Sequence, residues 1–144
     1  MKFKIILAIL AFISSLSFAA ENAFSKEFGY LSSYKEAKAK ALEVNKPLMI
    51  FFETTSCPWC QKLKNQTLSK EEAYAIVNNS FVAVLLDKEI DEFPKFLMPF
   101  VVPTITFVNP KNEEKFFQIL GYKALEEMVP LLKEARSTYK KTQP

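Results

Sequence analysis

The sequence predicts an α/β fold in which a central mixed four-stranded sheet is flanked by helices. Two observations support this prediction. Short apolar runs of the length of buried strands alternate with segments rich in helix-forming residues, and a Cys-x-x-Cys pair stands where the first of these strands passes into a helix. No internal repeat or low-complexity linker interrupts the alternation, which is typical of a single α/β sandwich.

The predicted elements follow from residue type and period. Ala, Lys and Glu dominate the first helix, with a serine available as its N-cap, and the apolar run Leu48–Phe52 is typical of a strand buried on both faces. The predicted order is a helix over 33–45, a strand over 48–52, a helix from the cysteines to 68, a helix over 69–79, a strand over 81–86, a short helix within 92–97, strands over 101–108 and 115–120, and a C-terminal helix.

Local signals mark several of the boundaries. Ser69 followed three residues later by Glu72 predicts a capping box at the start of a helix. Asn109–Asn112 predicts a turn that joins the last two strands as an antiparallel hairpin. The C-terminal stretch has apolar residues at helical spacing, and Pro130 predicts a kink in that helix, unless the helix begins elsewhere.

The N-terminus predicts export. A short basic opening precedes an apolar run over 5–13, and small residues follow it up to Ala19. Cleavage after Ala19 would remove residues 1–19 as a signal peptide and leave 20–144 as a single domain. A retained membrane anchor is the alternative, but the apolar run is shorter than the roughly 20 residues that a spanning helix needs.

The composition excludes several classes of function. The sequence has no histidine, which removes Ser–His and Cys–His catalytic pairs and most zinc sites. The formal net charge is only +3, and Lys and Glu are interleaved, so no basic stripe for nucleic acid is predicted. We expect no cofactor, no metal and a monomer, and the two cysteines are left to carry the chemistry.

Cys57 and Cys60 are predicted to form a redox-active pair. A cysteine at a helix N-terminus is favoured as a thiolate by the helix dipole and the free N–H groups. Cys57 would attack a substrate disulfide, and Cys60 would then attack Cys57 to release the product. A structural disulfide is the alternative, but so small a ring stabilises by only about 2 kcal/mol. Metal ligation would leave half of a four-ligand shell empty.

The segment Cys57-Pro58-Trp59-Cys60 after an apolar strand, with Val102-Pro103 opening a later strand, resembles the thioredoxin family. The resemblance covers about residues 30–140. It implies a cis peptide bond between Val102 and Pro103, with Pro103 against the disulfide and the backbone of Val102 presented to an extended substrate. An edge-strand proline is the alternative.

Within this family the chain is similar to the exported branch, which includes thioredoxins associated with sulfur oxidation and the C-terminal domain of the transmembrane reductase DsbD. The similarity implies protein disulfide substrates, a periplasmic location and a membrane electron donor of the DsbD type. The leading hypothesis is therefore a periplasmic reductase of protein disulfides. A disulfide oxidase or isomerase, and a non-catalytic binding module or chaperone, are the alternatives, since the sequence does not fix the direction of electron flow.

Several residues near the cysteines have two interpretations. Thioredoxins carry an Asp six residues before the first cysteine, where this chain has Phe51. Glu53 is a possible proton relay if it points inward, and otherwise a solvated residue at the strand end. Trp59 either offers a flat apolar face for substrate docking or is itself a partly exposed packing residue. The large apolar residues at 93, 96, 98 and 100 are expected to pack in the core, with a partner groove as the alternative.

Overall fold

A computed structural model describes residues 22–143. Its sheet has four strands, β1 (Leu48–Glu53), β2 (Val82–Asp87), β3 (Thr104–Val108) and β4 (Lys115–Leu120), in the order β2-β1-β3-β4. Strand β1 pairs in parallel with β2 and antiparallel with β3, and β3 pairs antiparallel with β4. The predicted mixed four-stranded sheet is confirmed. The predicted signal peptide lies outside the described residues.

Among residues 22–143, five α-helices surround this sheet. They are α1 (Ala23–Phe28), α2 (Tyr34–Glu43), α3 (Pro58–Leu63), α4 (Glu71–Ser80) and α5 (Leu125–Thr142). A π-helical segment, Lys64–Leu68, continues α3, and a 3₁₀ turn, Lys95–Leu97, lies between β2 and β3. None of the helices among residues 22–143 is both long and apolar enough to cross a membrane.

The two faces of β1 hold two apolar clusters, because successive side chains of a strand point to opposite faces. Met49 and Phe51 pack with residues of α4 and α5. Leu48, Ile50 and Phe52 pack with residues of α2. All six residues of β1 are buried, which explains why the first five, Leu48–Phe52, are a continuous apolar run rather than an alternating one.

The capping box predicted at Ser69 is wrong. The N-cap of α4 is Lys70, and it makes no side-chain capping bond. The Ser69 hydroxyl instead donates a hydrogen bond to the carbonyl of Asn65 at 2.8 Å, since the preceding helical segment runs up to Leu68 and Ser69 belongs to its end.

Helix α5 begins at Leu125 and runs through Pro130 without a break. Its start is fixed by Glu127, whose carboxylate accepts a hydrogen bond from the backbone N–H of Ala124 at 3.2 Å. The predicted helix is therefore confirmed, and its start is where the apolar spacing places it.

Candidate active site

The two cysteines lie at the carboxyl end of β1, at the start of α3. They form a disulfide with a Cα–Cα distance of 5.2 Å. Cys57 is the N-cap of α3, and its Sγ accepts a hydrogen bond from the backbone N–H of Cys60 at 3.2 Å. Pro58 is the first residue of the helix, where its missing N–H is not needed. Cys57 is 8% exposed and Cys60 is 0% exposed, so an incoming sulfur can approach only Cys57.

The residues predicted to bind substrate, Val102 and Pro103, line a cavity with Trp59, which stands between the two cysteines in the sequence. The Val102–Pro103 peptide bond is cis. The carbonyl of Pro103 accepts a hydrogen bond from the N–H of Gly121 at 2.8 Å, which ties the end of β4 to the start of β3. Val102, Pro103 and Gly121 line one cavity of about 380 Å³ together with Trp59 and Tyr122. The predicted strand start at residue 101 is wrong, because the chain bends over residues 100–103 and β3 begins at Thr104.

Trp59 is more than half exposed at the mouth of this cavity. The centroid of its ring lies 5.7 Å from the centroid of the Tyr122 ring. The Nζ of Lys62 lies 4.9 Å from the ring centroid of Trp59 and 4.6 Å from that of Tyr122. Neither Tyr122 nor Lys62 was predicted from the sequence as a site residue. A signal was present for Lys62, which follows Trp59 by three residues and so shares its side of the helix.

Glu53 forms a buried ion pair. It is 7% exposed, and its Oε2 lies 2.6 Å from the Nζ of Lys64, which is 2% exposed. The amide of Asn22 donates a hydrogen bond to the other oxygen of Glu53 at 3.2 Å. The interpretation of Glu53 as a solvated residue is therefore wrong. Lys64 follows Cys60 by four residues, which places both on one side of the helix, but it was not predicted from the sequence as a site residue.

Helix α1 covers this ion pair and was not predicted. The side-chain oxygen of Asn22 caps it by accepting from the N–H of Phe24 at 3.0 Å, and Gly29, with φ of +72°, ends it. The Phe24 ring lies 6.0 Å from the Lys64 ammonium. An asparagine before and a glycine after a six-residue segment were the available signals.

A polar cavity of about 420 Å³ adjoins Glu53. Its walls include Asn22, Ser25, Thr55 and Asp87. The hydroxyl of Ser25 is buried without a hydrogen-bond partner among residues 22–143. Glu53 therefore has the apolar core and Lys64 on one side and a polar cavity on the other.

The loop before the cis proline does not pack as predicted. Phe93 contacts Phe52 with ring centroids 4.9 Å apart, so it does belong to the core. Phe96 and Met98 are about half exposed and Phe100 is fully exposed. The expectation of core packing is wrong for these three, because Leu97 and Pro99 take the buried positions between them.

Part of the chain is similar in sequence to known proteins. Anterior gradient protein 3 of Mus musculus is 34% identical over 83 residues, which is 56% of this chain and 49% of that protein. Spermatogenesis-associated protein 20 of Rattus norvegicus is 32% identical over 71 residues, 49% of this chain and 9% of that protein. The chain thus spans half or less of the length of these curated relatives.

Solved structures of other proteins share the fold. A thioredoxin from Thermus thermophilus superposes with a TM-score of 0.62 at 23% identity, covering 73% of this chain and 85% of that one. The oxidised DsbD C-terminal domain of Neisseria meningitidis gives 0.59 at 19% identity, covering 74% and 98%. The thioredoxin-like family profile matches residues 30–110, more than half of the sequence. With its fold, its helix-capping Cys57–Cys60 disulfide and this match, the chain belongs to the thioredoxin-like family.

Proposed function

We propose that this protein is a thiol-disulfide oxidoreductase that reduces protein disulfides. The observation that carries the proposal is the asymmetry of the pair: Cys57 caps a helix and keeps a small exposed fraction of 8%, whereas Cys60 is fully buried. A helix N-terminus stabilises a thiolate, which is the reactive form of cysteine. A purely structural bridge gains little from so small a ring.

The reaction has two exchange steps. In the reduced protein, the Cys57 thiolate attacks one sulfur of the substrate disulfide, forming a mixed disulfide and releasing the other substrate sulfur as a thiolate. The Cys60 thiolate then attacks the Sγ of Cys57, which forms the Cys57–Cys60 bond and releases the second substrate thiolate. Two electrons pass from the cysteine pair to the substrate. The backbone of Val102 and the ring of Pro103 would hold the substrate chain during both steps.

Cys60 must lose a proton before it can attack, and we propose Glu53 as the acceptor. Glu53 lies at the end of β1, four residues before Cys57, and Lys64 shares the helix side of Cys60. The proton of the Cys60 thiol would pass to the Glu53 carboxylate and then to the polar cavity on the far side of Glu53. A base positioned in this way contributes typically 10²–10⁴-fold to the rate of a step.

The proposed direction is reduction, with electrons supplied by a membrane donor of the DsbD type. The reduction potential of the pair tests this direction. The oxidised and reduced protein would be equilibrated with dithiothreitol or glutathione buffers and followed by the fluorescence of Trp59, the only tryptophan. A potential below about −230 mV is expected for a reductase, whereas one above about −150 mV would assign the protein as an oxidase. A pair that does not cycle reversibly would contradict any redox function.

We further propose that the protein works in the periplasm. The support is the basic and apolar opening of the sequence and the small residues that end at Ala19. Expression of the full chain in a Gram-negative host is expected to yield a periplasmic product that begins at Ala20, as read by intact mass. A full-length product that stays in the membrane fraction would contradict the predicted cleavage.

A further inference from the structure

The ammonium of Lys62 is held against two aromatic rings at the edge of the cysteine site. It lies 4.9 Å from the ring of Trp59 and 4.6 Å from the ring of Tyr122. An ammonium at such distances is attracted by the negative face of each ring. The ion pairs among residues 22–143 involve other lysines, so no carboxylate there neutralises Lys62.

This charge stands beside an uncharged groove. The groove is the cavity of about 380 Å³ lined by Trp59, Val102, Pro103, Gly121 and Tyr122. None of its lining residues is an acidic or a basic residue. A polypeptide lying in the groove therefore meets aromatic and aliphatic walls, and the charge fixed at those walls is that of Lys62.

We infer that Lys62 is a specificity-determining residue that favours substrates with an acidic residue next to the reacting cysteine. This inference rests on the proposed function. Charges placed at the edge of an interface steer partners of opposite sign and disfavour those of like sign. The rings restrict where the ammonium can go, so its preference should act on residues close to the substrate sulfur rather than over the whole partner.

Three synthetic substrates test the inference. Each is a symmetric disulfide-linked dimer of one short peptide whose single cysteine is flanked on both sides by Glu, by Lys or by Gln. Their reduction by the mature protein, with dithiothreitol as the terminal reductant, gives kcat/KM for each. We expect the Glu peptide to be reduced about tenfold faster than the Lys peptide, with the Gln peptide between them, and we expect the ratio to shrink as salt is raised.

Charge reversal gives the decisive comparison. Lys62→Glu is expected to invert the preference, and Lys62→Gln is expected to bring the three rates together. Lys35→Glu is the matched control, because Lys35 is exposed on α2 beside Tyr34, which bonds Glu113 in the β3–β4 hairpin at the opposite end of the sheet. It should leave the ratio unchanged.

The experiment distinguishes a failure of the inference about Lys62 from a failure of the proposed reductase function. Equal rates for the three peptides with the wild-type protein, or an equal change of the ratio by Lys35→Glu and Lys62→Glu, would overturn the role of Lys62 while leaving the reductase intact. If no peptide is reduced by any of the proteins, the proposed function itself is wrong, and the inference falls with it.

Discussion

Replacing Cys57 by serine is expected to reduce protein-disulfide reductase activity to background, whereas replacing Cys60 by serine is expected to stop the reaction one step later. Cys57 is the proposed nucleophile, since it is 8% exposed and Cys60 is 0% exposed. A serine hydroxyl at this position is not ionised at neutral pH and cannot form a disulfide. With Cys60→Ser the first exchange still occurs, so the protein should accumulate as a mixed disulfide with its substrate. Non-reducing gels and intact mass would detect this adduct.

Ser56→Ala is the matched control, because Ser56 is an exposed residue directly before the pair and makes no side-chain hydrogen bond among residues 22–143. It should retain activity. The reverse pattern, an adduct on Cys57→Ser and none on Cys60→Ser, would assign the nucleophile to the buried cysteine. Full biological activity of Cys57→Ser would support the binding module or chaperone instead.

The features that sequence analysis predicted correctly depend on local pattern. The apolar run Leu48–Phe52 is too short for a buried helix and has the length of a strand buried on both faces, so β1 was identifiable from its own sequence. The helix start at the Cys-x-x-Cys pair followed from the strand before it, and Pro58 fits the first turn of that helix. These signals act within a few residues, and tertiary contacts do not override them here.

The features that it missed depend on contacts between distant residues. From the sequence, Lys64 would be predicted as one more surface lysine of a helix. The residues next to it in the sequence do not indicate that Glu53 and Phe24 enclose it. From the sequence, Phe100 is predicted to be a core residue, since composition alone does not indicate that Leu97 takes the buried position in that loop. A charge that is buried and an apolar side chain that is exposed are both set by the fold as a whole.

Breaking the Glu53–Lys64 pair from one side is expected to be the most destabilising single substitution at this site. Lys64→Met should lower the free energy of unfolding by about 3–5 kcal/mol, because it leaves a carboxylate buried without its cation. Adding Glu53→Leu to Lys64→Met should recover most of that loss, since replacing a whole buried pair by apolar residues is often neutral or stabilising. Urea unfolding followed by circular dichroism measures both variants.

The exposed pair of Lys40 and Glu43 supplies the control. Its N–O distance is 3.0 Å, and both side chains are at least half exposed. Lys40→Met should therefore cost less than about 0.5 kcal/mol. A similar small loss for Lys64→Met would mean that water reaches the Glu53 carboxylate freely, which would contradict its burial.

The double variant also separates the structural role of Glu53 from its proposed chemical role. Once Lys64→Met with Glu53→Leu has restored stability, the protein should still form the mixed disulfide at Cys57 at the wild-type rate. That step does not require Cys60 to lose its proton. Release of the substrate at pH 7 should fall by about 10²-fold or more, the scale of a lost general base. It should recover as the pH rises toward the pKa of a free thiol, about 8.5. Stopped-flow measurement of the two steps would resolve them, and wild-type release by the stable double variant would leave Glu53 a structural residue and require another acceptor for the Cys60 proton.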